Sequence, residues 1–182
     1  DNYSNLKALQ NAEWVETFGD GSYASGTYSG INTRKYHGIF NISRRAPVER
    51  IALISRLEET LINTQDQHAY PLFSNQFPGS VTPEGYKLLR KAGKTWGPFF
   101  EYQIGDFTLT KKILAVQKTK SLVISYHLTG PYEQHFNLQL RPFLSGRDLH
   151  SLSKSNLFLN GKVEEREHGL IFSTYEGLPK SR

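Results

Sequence analysis

The chain of 182 residues contains no cysteine and no methionine. Without thiols there is no disulfide, no thiolate nucleophile and no cysteine ligand for a metal. That absence leaves the compartment open, because cytosolic and secreted proteins alike can lack cysteine. Long apolar runs are missing too, and the longest aliphatic stretches, such as Ile113 to Val116, fall far short of a membrane span. No charged-then-apolar leader precedes Asp1, so no targeting segment is visible; lacking an initiator methionine, the chain reads as processed or as excised from something longer.

Motifs for common cofactors are also absent. The six histidines, at 37, 68, 127, 135, 150 and 168, form no His-x-His or His-Glu-x-x-His arrangement, so no metal is expected. There is no Gly-x-x-x-x-Gly-Lys phosphate loop, and no parallel βαβ unit follows the glycine-rich run, which excludes a dinucleotide fingerprint. Ser25, in Ala24-Ser25-Gly26, is not in a nucleophile elbow. No cofactor and no catalytic residue is expected.

What the chain does have is aromatic. Tyrosine and phenylalanine number 10 and 11, and aromatics make up 13% of a chain that is 37% apolar and 21% charged. Such residues favour strands and flat stacking surfaces, and the length suits one domain with a substantial core. The net charge of +5 is uneven: Tyr86 to Lys120 holds eight Lys and Arg against Glu101 and Asp106. That segment is either a surface for nucleic acid or an acidic partner, or a solvated sheet face. The scatter over several strands, with no nucleic-acid motif, favours the solvated face.

Read in order, Ser4 to Ala12 is a short helix capped by Ser4 or a linker end. Trp14, Val15 and Phe18 signal a strand, Tyr36 to Ser43 another, and Arg50 to Asn63 a long one after Pro47. Glu58-Glu59 within it reads as a solvent edge, and neighbours on a strand face opposite ways, so the two are no catalytic pair. Asn63 to Pro83 is mostly loop with short extended pieces. Tyr86 to Lys91, Phe99 to Ile104, Phe107 to Val116 and Leu122 to Thr129 are successive strands, with Gly105-Asp106 as a tight hairpin. In His135 to Leu144 the period of two is clearest, with Phe136, Leu138 and Leu140 on one face. A turn or helix, Arg147 to Ser155, precedes strands at Leu157 to Leu159, Lys162 to Glu167 and Leu170 to Tyr175. The pattern predicts an all-β fold: an antiparallel, supersandwich-like β-sandwich with little helix, over residues 13–182 after an extension of residues 1–12.

The stretch around which this is arranged runs from Glu13 to Gly38. Gly19, Gly21, Gly26 and Gly30 alternate with serines, threonines and two tyrosines, and the stretch closes on Asn32-Thr33-Arg34-Lys35-Tyr36-His37. Glycines at this density permit tight turns and a close backbone approach, which serve hairpins and binding loops equally. A second constellation, Arg147-Asp148-Leu149-His150, lies far along the chain. Planar polar groups and aromatic faces of these types suit sugar hydroxyls and pyranose rings. They suit equally an internal network in which Arg147 and Asp148 satisfy each other or loop carbonyls.

Glu13-Trp14, Tyr23 to Thr27, Ser29-Gly30, Asn32-Thr33-Arg34 and Tyr36-His37-Gly38 resemble, in order, the opening motif of the N-terminal domain of bacterial and archaeal-type glycogen debranching enzymes, the amylo-alpha-1,6-glucosidase family. Pro47-Val48, Leu53 to Glu59, Phe77-Pro78-Gly79, Pro83 to Tyr86, Arg141 to Leu144, Arg147-Asp148 and His150-Ser151-Leu152 look like further blocks of the same domain. Phe18, Asp20-Gly21-Ser22 and Ser145-Gly146 depart from the pattern. Lys35 replaces an arginine, which keeps the charge but loses the planar fork.

The resemblance implies an accessory β-domain that packs on a C-terminal (α/α)6 barrel, where the acid and base carboxylates reside. Nothing after Tyr175 is long enough for that barrel, so the chain alone is expected to be inactive. With the resemblance, two readings of Asn32, Arg34, Lys35, Tyr36, His37, Arg147, Asp148 and His150 stand level: contact with an alpha-glucan, such as glycogen or malto-oligosaccharide, and an internal network that shapes the loops. A cytoplasmic setting is expected, with no membrane and no nucleic acid. The alternatives are a basic interaction domain and a purely structural docking domain.

Overall fold

The computed structural model describes residues 5–45, 48–154 and 156–180. One short helix, α1 (Leu6–Asn11), opens the described chain. Its cap is Asn5, whose side chain accepts the Ala8 N–H at 3.2 Å; Ser4, the cap expected from sequence, lies outside the described residues. Leu9 on this helix is buried in the core.

Among the described residues all the remaining regular structure is strand, apart from a 3₁₀ turn at Gly85–Leu88. The strands are β1 (Glu13–Thr17), β2 (Tyr23–Thr27), β3 (Gly38–Arg45), β4 (Glu49–Asn63), β5 (Ala69–Pro71), β6 (Ser74–Phe77), β7 (Ser80–Glu84), β8 (Leu89–Lys94), β9 (Pro98–Ile104), β10 (Phe107–Val116), β11 (Ser121–Thr129), β12 (Phe136–Asp148), β13 (Val163–Arg166) and β14 (Gly169–Phe172). The first sheet runs β1-β2-β3-β4-β12, with β5 also paired to β4; the second runs β11-β10-β9-β8. Every pairing is antiparallel, and β6-β7 and β13-β14 form separate ribbons. This is the all-β sandwich that the strand pattern predicts.

The core lies between the sheets. Trp14, Ala24 and Leu61 come from the first; Leu89, Phe100, Tyr102, Ile104, Leu109 and Ile113 come from the second. Burial alternates strictly along β9, where Pro98, Phe100, Tyr102 and Ile104 face inward. Each fully buried side chain of this size contributes about 1.5–3 kcal/mol. Trp14 meets Phe100 edge to face, with ring centroids 6.4 Å apart. Directly opposite Trp14 on the neighbouring strand stands Gly26, and a Cβ there would come within 3.2 Å of the indole. The glycine is there because the indole lies across its backbone.

Glu58 and Glu59 are not at a solvent edge: they are 3% and 2% exposed. They do face opposite ways. Glu59 points into the sandwich, where Lys111 lies 2.5 Å away and the Tyr126 hydroxyl donates at 2.6 Å. Burial and Glu59 together hold the Tyr126 phenol far above the usual range. Glu58 is capped on the other side by Arg141, Arg56 at 2.9 Å and Asn75 at 3.1 Å. Pattern reading missed this because a charged pair in mid-strand looks exposed until its distant partners, Arg141, Lys111 and Tyr126, are folded onto it.

Other expectations change too: Tyr86 to Leu88 lie in the 3₁₀ turn, so the strand expected from Tyr86 begins at Leu89. Leu140 is 48% exposed, and β12 is irregular between Phe143 and Arg147, so the inward alternation stops before its end. Arg147 and Asp148 belong to β12 and pair with Ala52 and Ile51, so no helix begins there. Leu157 to Leu159 is a turn rather than a strand, and its side chains are exposed.

Candidate functional site

Because Trp14 and Ala24 point into the core, their neighbours Val15 and Tyr23 face the opposite side of the first sheet. Over this outer face folds the loop that leads into β3. The Tyr23 hydroxyl donates to the Tyr36 carbonyl at 2.9 Å, and Ser25 Oγ approaches the same oxygen at 3.4 Å. These bonds seat residues 34–37 on the β1-β2 hairpin.

The second constellation arrives from the far end of β12, held by the Leu149 N–H donating to the Arg50 carbonyl at 3.0 Å. The two constellations meet. Lys35 Nζ donates to the His150 carbonyl at 2.8 Å, and the Tyr36 hydroxyl lies 3.5 Å from His150 Nδ1 with the two rings edge to face. Arg147 donates to the Lys35 carbonyl and to the carbonyls of Asp148, Leu149 and Ser151. Its guanidinium thereby clamps one loop onto the other. Asp148 closes its own turn by accepting the His150 N–H at 2.8 Å.

Between them lies an open groove of about 710 Å³, whose walls include Val15, Gly19, Gly21, Tyr23, Tyr36, Arg50 and His150. A smaller depression of about 270 Å³ adjoins it, sharing Val15, Tyr23 and Tyr36 and adding Glu13, Arg34 and His37. Tyr36 stands 41% exposed between the two.

The candidate sugar-contact residues separate into two kinds. Arg34, Lys35, Tyr36 and His150 are exposed along the rim. His37 is buried, with Nδ1 accepting the Thr33 N–H at 3.2 Å and Nε2 turned toward Glu13 at 3.6 Å. Burial pushes the imidazole below its ordinary pKa; Glu13 opposes that shift and Arg34 adds to it. Arg147 and Asp148 are engaged with backbone, and Asn32 donates to the Ser55 carbonyl at 2.9 Å, outside the groove. Lys35 makes a single hydrogen bond and needs no planar fork.

Sequence reasoning missed Glu13, Tyr23 and Arg50 as parts of this site. Glu13 pairs with Arg34 at 2.7 Å, and its place at the head of the motif was a signal available beforehand. Arg50 opens a long strand and carries no local signal. Among the described residues no three His, Asp or Glu side chains are grouped to hold a metal ion, and no helix is long and apolar enough to cross a membrane.

No curated protein and no solved structure matches the chain significantly. The model of the glycogen debranching enzyme N-terminal family matches residues 12–182, a span that takes in every strand and both halves of the groove. The chain belongs to the glycogen debranching enzyme N-terminal family.

Proposed function

We propose that this chain is the accessory domain of a cytoplasmic, glycogen-debranching alpha-1,6-glucosidase-like protein, and that its outer groove contacts alpha-glucan while a separate catalytic barrel performs hydrolysis. The observation that carries this reading is the meeting of the two motif segments, 112 residues apart between Lys35 and Arg147, on one exposed rim. A clamp in which Arg147 and Lys35 donate to five backbone carbonyls holds the Tyr36 and His150 rings in place before any ligand arrives. Preorganised aromatic faces lose little entropy on binding a pyranose ring. The buried carboxylates support a non-catalytic role, since Glu58 and Glu59 face opposite ways and both are engaged with cations.

Tyr36→Ala should weaken binding of malto-oligosaccharide by roughly tenfold, in line with the loss of an aromatic contact. Isothermal titration calorimetry measures this directly. An unchanged affinity would remove the groove from glucan recognition.

A docking role has its own support. Leu152, Leu157 and Phe158 are 79%, 101% and 85% exposed in the segment after β12, which supplies apolar side chains that a partner domain could cover. On this reading the double variant Leu157→Ser, Phe158→Ser abolishes capture of the isolated catalytic barrel in pull-down while leaving saccharide affinity unchanged. Retained capture would move the docking surface elsewhere. The basic-domain alternative has less support: of the eight cations between Tyr86 and Lys120, Lys87, Lys94, Lys111 and Lys120 are each within 2.7 Å of a carboxylate.

A further inference from the structure

One cation in the groove is unlike the others. Arg34, Arg44, Arg56, Arg141 and Arg166 all pair with carboxylates, and Arg147 is engaged with carbonyls; Arg45 and Arg90 are exposed and line no part of the groove. Arg50 has neither kind of partner among the described residues, although it lines the groove and its Nε is shielded from solvent without any hydrogen bond. Buried polar atoms are rarely left so, and a guanidinium least of all.

The surroundings keep that guanidinium available. Gly21, at φ +90°, arches over it, and a Cβ at this position would lie 3.6 Å from Arg50 Nη2. The positive φ is what favours glycine here, and Gly21 and Arg50 line the same groove. The carboxylates flanking these two residues in sequence are engaged elsewhere: Asp20, beside Gly21, with Lys120 at 2.7 Å and Glu49, beside Arg50, with Arg44 at 3.2 Å. Across the groove, Glu13 is held by Arg34, and Asp148 closes its own turn. The remaining charges, Lys35 and Arg147, are also positive; burial raises the Tyr23 phenol above its ordinary pKa, and Arg50 and Arg147 oppose that shift. The wall therefore offers a planar, double-donor cation beside two phenol rings, in a space the size of a saccharide.

We propose that the groove binds a phosphorylated sugar, with the phosphomonoester received by Arg50 and the ring lodged between Tyr23 and Tyr36. Arginine matches phosphate oxygens with two parallel N–H donors, and the tyrosines supply the apolar and hydroxyl contacts of the sugar. This deepens the saccharide reading of the same groove and rests on it.

The test compares glucose 6-phosphate, glucose, maltotriose and inorganic phosphate as ligands of the whole chain, followed by NMR. Glucose 6-phosphate should bind roughly tenfold or more tightly than glucose, and the preference should shrink as salt is raised. The Arg50 Nε–H resonance of the wild-type chain should shift with glucose 6-phosphate and stay in place with maltotriose. Arg50→Gln should erase the preference with circular dichroism unchanged, and Arg50→Lys should restore part of it. Equal affinity for glucose and its phosphate, or a stationary Arg50 resonance, overturns the proposal while maltotriose binding keeps the saccharide reading. Inorganic phosphate binding as tightly as glucose 6-phosphate overturns the sugar component. Failure of every saccharide to bind overturns both readings.

Discussion

His37 shows how a residue of plausible ligand chemistry becomes part of a scaffold. It is 3% exposed, and its Nδ1 accepts a backbone N–H, so protonation would set two donors face to face. Its pKa is lowered by burial below the ordinary 6.5. In the unfolded chain the imidazole takes up a proton as pH falls through that ordinary value, while the folded chain resists, so stability is greatest above it and declines below it. Urea denaturation at about pH 7.5 and about pH 5.5 should show the wild type losing stability in the acid sample. His37→Asn keeps an acceptor for the Thr33 N–H without titrating, and should flatten that dependence. A wild-type profile as flat as the variant's would show that the imidazole titrates alike in both states.

Legibility at this scale followed locality. Arg34, Lys35 and Tyr36 declared themselves by adjacency, as did the Arg147 to His150 run. The sequence did not tell which side chains would face a ligand and which a backbone carbonyl, because that is decided where two segments meet. Arg147 is instructive: either of its alternatives was open from sequence, and the structure places its donors on backbone carbonyls, that of Asp148 among them, rather than on the Asp148 carboxylate.

Among the elements, the two sheets are joined by an ion pair as well as by apolar packing. Lys111 and Glu59 are 6% and 2% exposed, and the lysine also lies 5.3 Å from the Phe100 ring centroid. Lys111→Met should destabilise the fold by about 3–5 kcal/mol, because it leaves a carboxylate buried with only a phenol for company. Adding Glu59→Leu should recover much of that loss, since two apolar groups impose no unpaired charge. Thermal denaturation of the single and double variants measures the coupling; additive losses would show that the two groups do not act as a pair.

Strand existence was well legible. The Gly105-Asp106 turn lies between Ile104 and Phe107 as paired neighbours, and β10 keeps the bounds read from sequence. Failures came where tertiary contacts override local pattern. The β12 strand continues past its apolar alternation because its backbone still pairs with β4 across two irregularities. The apolar triplet Leu157 to Leu159 has strand composition but no neighbouring strand, and it remains a turn.

For the whole molecule, the groove is a product of topology. Strand β4 carries Arg50 at its start, β12 returns beside it to deliver His150, and the β1-β2 hairpin reaches across to hold the Tyr36 loop. The groove has walls from both constellations, so the fold rather than either motif determines its shape. The net charge of +5 has little bearing on it, since half the cations of the basic segment are paired within the fold.

The most direct test of the central claim is an NMR titration of the chain with maltotriose, read residue by residue. The account predicts saturable shifts confined to residues 13–38 and 147–151, nearly independent of salt because the contacts are with neutral hydroxyls. Shifts centred instead on Leu152 to Leu159 or on the outer face of the second sheet, or no shifts at all, would contradict it.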